Sequence, residues 1–312
     1  MTQSISLNEK KTKKEWLPTL TCLTLTLIMI LMSSQIKKGI YRGISLCLTS
    51  LVPTLFPFFI LSDIWSCYFR VNNKSLTSKL FSSIFHINGR AVIAFLCGIV
   101  CGFPLGVKTA VDLYNNKCLS KEETETICGF INNPSMAFVI SGIGLGIYRD
   151  ASVGIILYLS VVISAIIIGF AFRPKHKKSL NSDVILGQSF NLVNSIKYAG
   201  VASLTVSSYV IFFSGILSPL AFFIDNDIAC AIISCFTEIS CAVTYIAKAS
   251  AISTELRLSL TGFALGFSGL SVHLQAFTFM HKEIRKKKYL LMKLIQGIIC
   301  SLLTAFFYHL FI

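Results

Sequence analysis

Two apolar stretches of this chain are broken in the same way, and a helix surrounded by lipid has no reason to break itself. The first reads CGFPLGVKTAVDLY (101–114) and is followed, after a polar link, by GFINNPSMAFVISG (129–142). The second reads FTEISCAVTYIAKA (236–249) and is followed by GFALGFSGLSVHLQAF (262–277). In each, Gly, Pro, Ser, Asn or Thr interrupts an apolar run that also carries a rare charge. Hydrocarbon offers the backbone no water, so irregular main chain is tolerated there only when buried in protein or lining a cavity. Broken segments at corresponding places in two halves point to a binding site of the kind secondary transporters use.

The remaining sequence suits that reading. Of 312 residues, 54% are hydrophobic and only 13% charged, with a mean hydropathy of +0.72. That excludes an ordinary soluble domain and fits an α-helical protein that crosses the membrane several times. Apolar runs occupy 17–32, 44–68, 91–114, 126–148, 151–172, 192–224, 228–249, 258–280 and 289–312. Most reach the roughly 20 residues a span needs. The run 192–224 contains Gly200, Gly215 and Pro219 and is expected to bend or end early. Lys10, Lys11, Lys13 and Lys14 precede the first run as in a signal peptide, but no clean small-x-small site follows, so an uncleaved first span is expected. The 11 cysteines form no C-x-x-C and mostly lie inside apolar runs, where free Cys acts as a small hydrophobe. No metal site or cofactor is expected. The net charge of +14 comes from Lys and Arg between the runs, which read as anchors at anionic headgroups rather than as a nucleic-acid surface. No Walker A loop, H-E-x-x-H or nucleophile motif is present, so an enzyme is not expected.

Charge sets the expected topology. The N-terminal lysines, 173–178, 282–288 and a looser group (Arg70, Lys74, Lys79, Arg90) should all be cytoplasmic. They can share one side if 91–114 and 228–249 each enter and leave on the same face. Arg90 and Lys117 flank the first, and Asp225 and Asp227 precede the second, so the two should enter from opposite faces. The expected fold is an all-α polytopic membrane protein with two inverted repeats, each with a re-entrant or broken helical hairpin. Lys37, Lys38, Arg42 and Arg257 fall on the other side in this arrangement. The segments are an N-terminal basic tail and first span (1–43), a first repeat (44–148), a connecting span and basic loop (149–191), a second repeat (192–281), and a basic loop with a C-terminal span (282–312). Ser120 with Glu123 fits a capping box, and Ser253 begins the matching STEL, so both links should start helices.

Several residues in the breaks can do chemistry. Lys108 is either an anion-binding cation or a snorkelling side chain paired with Asp112 one turn away. Gly102, Pro104 and Gly106 either free backbone amides toward a cavity or simply kink the chain. Asn132, Asn133 and Ser135, opened by Pro134, offer amide and hydroxyl groups to a carboxylate or ring N–H, unless they form a surface loop. The second half supplies Ser271 with Gly266 and Gly269, followed by His273 and Gln275. His273 is either a bonded core residue or a proton sensor. Glu238 can pair with Lys108, bind a cation, carry a proton, or serve structurally. Lys248 should snorkel.

Together LVPTLFPFFILSDI (51–64), GFPLGVKTAVDLY with LSKEE, FINNPS, TEIS and GFSGLSVHLQ resemble the sporulation integral membrane protein family YlbJ or SpoVV, among the nucleoside-recognition, or gate-domain, membrane proteins. The resemblance covers about residues 46 to 279. Where the family pattern has a glycine after the carboxylate motif, this chain has Cys241 and Ala242. The resemblance implies a fold similar to concentrative nucleoside transporters. It also implies passage of dipicolinic acid from the mother cell across the outer forespore membrane of an endospore-forming bacterium. A site for that planar dianion would draw donors from Lys108, Asn132 and Asn133 and flat walls from Phe103, Phe130 or Phe267. A nucleoside or other small solute is the alternative cargo, and a non-transporting scaffold for spore-envelope assembly is the alternative of another class. Oligomeric state and protein partners are not legible.

Overall fold

The computed structural model describes residues 2–68, 75–175, 191–224 and 226–311, and every regular element among them is helical. α1 (Thr2–Leu31) turns through 83° into α2 (Ser33–Leu46), and a π-helical turn leads on to α3 (Val52–Tyr68). A short α4 (Leu76–Phe85) meets the next helix, α5 (Val92–Val100), at 101°. The first half continues with α6 (Leu105–Asn115), α7 (Lys121–Ile131), a π-helix (Phe138–Tyr148) and α8 (Ala151–Ala171). The second half opens with α9 (Leu192–Phe223). It then runs α10 (Asp227–Thr237), α11 (Ile239–Lys248), α12 (Thr254–Phe267), α13 (Gly269–Phe279) and α14 (Lys286–Phe311).

Local chemistry accounts for many of the boundaries. The Ser120 hydroxyl accepts from the Glu123 amide while Glu123 Oε2 accepts from the Ser120 amide, which is the expected capping box. Ser253 caps α12, Asn191 caps α9 and Asn226 caps α10. Two expectations need correction. The run 192–224 does not end early: α9 is a single 32-residue helix, with Pro219 close to its C-terminal end, where little helix remains to disrupt. The basic stretch around Lys79 holds an unexpected helix, α4, capped by Ser75, because Phe81 and Phe85 share one face and are buried. Arg70, Lys74, Asp225, residues 176–178 and the side chains of the N-terminal lysines lie outside what the structure describes.

Among the described residues three helices, α8, α9 and α14, are long and apolar enough to cross a membrane, and up to five spans result if each bent pair counts as one. On α14, Leu291, Leu294, Ile298, Leu302 and Phe306 form an exposed apolar stripe that suits lipid, while Tyr289, Lys293, Gln296, Cys300 and Thr304 face inward.

Helix directions follow from the side-chain pairs. α7 runs alongside α14 in the same sense, since Glu125 meets Arg285, Thr126 meets Lys288, and the Asn132 carbonyl meets Lys293. α12 runs against α14, since Glu255 meets His309 and Gly262 and Gly266 press on Thr304 and Cys300 respectively. The two polar links therefore lie at opposite ends of α14. The link before α7 meets the α14 start through His281 and Asn115, while that before α12 is beside its end. The basic groups collect at the first end: Arg90 reaches Cys118, Asn88 reaches Glu123, His86 reaches the Pro174 carbonyl, and Arg285 binds Glu125. Among the described residues, Arg90 and Arg285 thus lie at one end of α14.

Candidate functional site

Both halves break where the sequence breaks. α5 ends at Val100, the chain passes through Cys101–Gly102–Phe103–Pro104, and α6 starts without a side-chain cap. Gly102 has φ +80°, a left-handed conformation that suits glycine, and a Cβ there would stand 2.5 Å from the Ser135 amide nitrogen. The Phe103 amide donates to the Asn133 carbonyl at 2.8 Å, so the first break is bonded to the Asn–Asn–Pro–Ser break after α7. In the second half, too, the two breaks lie against each other. Gly269, at φ +74°, packs its Cα against the backbone of Thr237 and Glu238 between α10 and α11.

These breaks meet at a narrow cavity. Its walls include Phe103, Ser135 and Phe138 from the first half and Glu238, Ser240, Val272 and Gln275 from the second. Leu51 and Leu55, with Val206 and Val210 of α9, close the remaining sides. About 20 Å³ is open to a water centre, which holds roughly one water molecule. In this conformation the space is too small for a solute larger than water. Glu238 is the one charged residue lining it. Its Oε2 accepts from the Cys241 amide at 2.8 Å, so the carboxylate caps α11, and Ser240 lies beside it. No ion pair reaches Glu238 among the described residues, and the Gln275 Oε1 nearby is buried without a partner.

The structure thus gathers Ser135, Glu238 and Gln275 from the expected set, with Phe103 as an aromatic wall. It does not bring Lys108 there. Lys108 is half-buried, 3.6 Å from Asp112, and lies over the Tyr198 ring at 4.2 Å. Of the readings open for these residues, the Lys108–Glu238 pair does not form and the Lys108–Asp112 pair does. Phe130 stacks with Phe85 and Phe267 with Phe263, so neither forms a wall of the cavity. Pro134 is buried in its break, Gly106 packs against Gly98 and Gly266 against α14. Ser271 accepts from Gln275 Nε2 at 3.5 Å.

Asn132, Asn133 and His273 form a second polar cluster with three residues the sequence reading passed over. Tyr289 Oη accepts from Asn132 Nδ2 at 2.7 Å and lies 3.1 Å from His273 Nδ1. Lys293, wholly buried, reaches the Asn132 carbonyl and Gln296 Oε1, each at 2.8 Å. A signal was available: Tyr289, Lys293 and Gln296 are spaced i, i+4, i+7, one face of an otherwise apolar helix. Tyr289→Phe removes the hydroxyl shared by Asn132 and His273. It should destabilise the purified protein by about 2–3 kcal/mol, read as a lowered melting temperature, because two buried polar groups lose a partner.

Over 300 aligned residues the chain is 23% identical to sporulation integral membrane protein YlbJ of Bacillus subtilis (strain 168), covering 82% of this chain and 73% of that protein. The chain is similar to YlbJ over most of its length. This bears out the YlbJ-family resemblance of its motifs, and with the long apolar helices it identifies an integral membrane protein. No family model matches the chain, and no solved structure does.

Proposed function

We propose that this protein is a membrane transporter of a small carboxylate during sporulation, and that its cargo is dipicolinate passing from the mother cell across the outer forespore membrane. The carrying observation is the narrow cavity where the helix breaks of both halves meet, which would have to widen to admit the cargo. Two inverted repeats would build it. α5, α6, α7, the π-helix and α8 match α10, α11, α12, α13 and α14 in order, and α7 and α12 run oppositely along α14. The first repeat's π-helix touches α11, and the second repeat's α13 touches α6, the exchange expected of a two-fold relation. This supports the transporter-like architecture implied by the gate-domain resemblance. A scaffold has no need of a carboxylate without an ionic partner beside a cavity, where a neutral cap would serve.

The sporulation setting rests on the YlbJ likeness, and the cargo on the family resemblance. The site adds a condition. A dianion cannot enter beside an ionised Glu238 without strong repulsion, so a carboxylate cargo requires Glu238 to hold a proton. Lys108 would be a cation on the approach: Phe103 at the cavity precedes α6, whose first turn leads to Lys108, beside Tyr198 of α9. One observation favours a second reading. The cavity offers a carboxylate, an amide and hydroxyls but no cation, a lining suited to a neutral hydroxylated solute such as a nucleoside.

Lys108→Met separates the two. The partly exposed pair with Asp112 and the contact with the Tyr198 ring are each worth little, so stability should change by about 1–2 kcal/mol at most. If Lys108 meets an anion, dipicolinate uptake should weaken roughly ten- to a hundredfold in apparent affinity while nucleoside uptake is unaffected. Equal effects on both cargoes would remove Lys108 from the anion path and favour the second reading.

A further inference from the structure

Lys293 is a buried charge that the cavity does not use. It extends from the inner face of α14, has no exposed surface, and faces three oxygens. These are the Asn132 carbonyl at 2.8 Å, Gln296 Oε1 at 2.8 Å and Asn133 Oδ1 at 3.5 Å. Their orientation is fixed from outside the cluster. Asn133 Nδ2 donates to the Phe130 carbonyl at 2.7 Å, which turns Oδ1 toward α14. Gln296 Nε2 donates to that Oδ1 at 2.8 Å, which turns Oε1 toward Lys293. Flipping either amide would break one of these bonds. Lys293 therefore meets acceptors alone, and three acceptors match the three N–H groups of an ammonium. No carboxylate pairs with it among the described residues. One main-chain and two amide oxygens, converging beside an unwound segment, form the type of cage that coordinates sodium in broken-helix transporters.

We propose that Lys293 is a tethered cation. Its ammonium fills, within the oxygen cage of Asn132, Asn133 and Gln296, the place that a dissolved alkali-metal ion would otherwise take, and so clamps the break after α7 to α14. The clamp stands on the geometry alone. Resting on the transporter reading, it adds that sodium is not the coupling ion at this break.

The test is thermal unfolding of the full-length protein in detergent, in sodium, potassium or choline chloride at equal ionic strength. The unsubstituted protein should melt at the same temperature in all three, since its cage is full. Lys293→Ala empties the cage and strands its oxygens, and should melt about 5 °C or more lower in choline. Sodium chloride or propylammonium chloride should restore much of that loss, saturably, as ligands that bind only the folded state do. A loss that neither restores would overturn the proposal. So would a saturable sodium-over-choline effect on the unsubstituted protein, a measurement that stands even if Lys293→Ala does not accumulate. No uptake is measured, so a chain that proved not to transport would leave this result unchanged.

Discussion

Glu238→Gln should leave the protein folded and remove most of its transport. The substituted amide keeps an oxygen for the Cys241 N–H that Glu238 now accepts at 2.8 Å, so the cap on α11 should survive at a cost below about 1 kcal/mol. What goes is the ability to hold a charge or a proton at the cavity. A buried carboxylate without a cationic partner is expensive, and a purely structural cap would be served as well by an amide. We expect uptake to fall by about tenfold or more, because an amide can neither take up nor release the proton that cargo entry beside Glu238 requires. Uptake into proteoliposomes and the melting temperature, measured on the same preparation, check this. Normal uptake with a normal melting temperature would reduce Glu238 to a helix cap.

The largest stability effect should come from Gly102→Ala. Ala at φ +80° pays about 1–2 kcal/mol for the left-handed conformation. Its Cβ would also stand 2.5 Å from the Ser135 backbone nitrogen, which cannot rotate away as a side-chain tip can. Overpacking of that kind adds about 1–3 kcal/mol. The sum, about 3 kcal/mol or more, pries apart the two breaks that wall the cavity, and the variant should accumulate poorly or melt well below the parent. Gly200→Ala is the control. A Cβ there meets nothing within 4 Å, and the substitution should be nearly neutral. A harmless Gly102→Ala would mean that the two breaks are not held together as described.

The breaks were legible because a cluster of polar and glycine residues inside an apolar run costs too much in lipid unless the chain is shielded by protein or lines a cavity. Gly102, Pro104 and Asn132–Ser135 all fall where regular helix stops. What failed were inferences needing a partner. A pair of Glu238 with Lys108 was one option, yet Glu238 caps α11, and Lys108 sits beside Asp112, the alternative that its spacing offered. Lys293 was missed because it follows Lys286, Lys287 and Lys288 and reads as one more interfacial anchor. Only the face it shares with Tyr289 and Gln296 points it inward. α9 misled in the opposite direction: Gly200 and Pro219 suggested a bend, but a single glycine in open space does not stop a helix, and Pro219 is close to its end.

Uptake of labelled solutes by proteoliposomes containing the purified protein tests the central claim most directly. Dipicolinate, a nucleoside and a simple aliphatic dicarboxylate should be compared, with Glu238→Gln vesicles as the matched control. We expect saturable dipicolinate uptake that exceeds the other two and collapses in the control. Uptake of all three no faster than into protein-free vesicles, from protein shown to be folded by its melting transition, would contradict the transporter account.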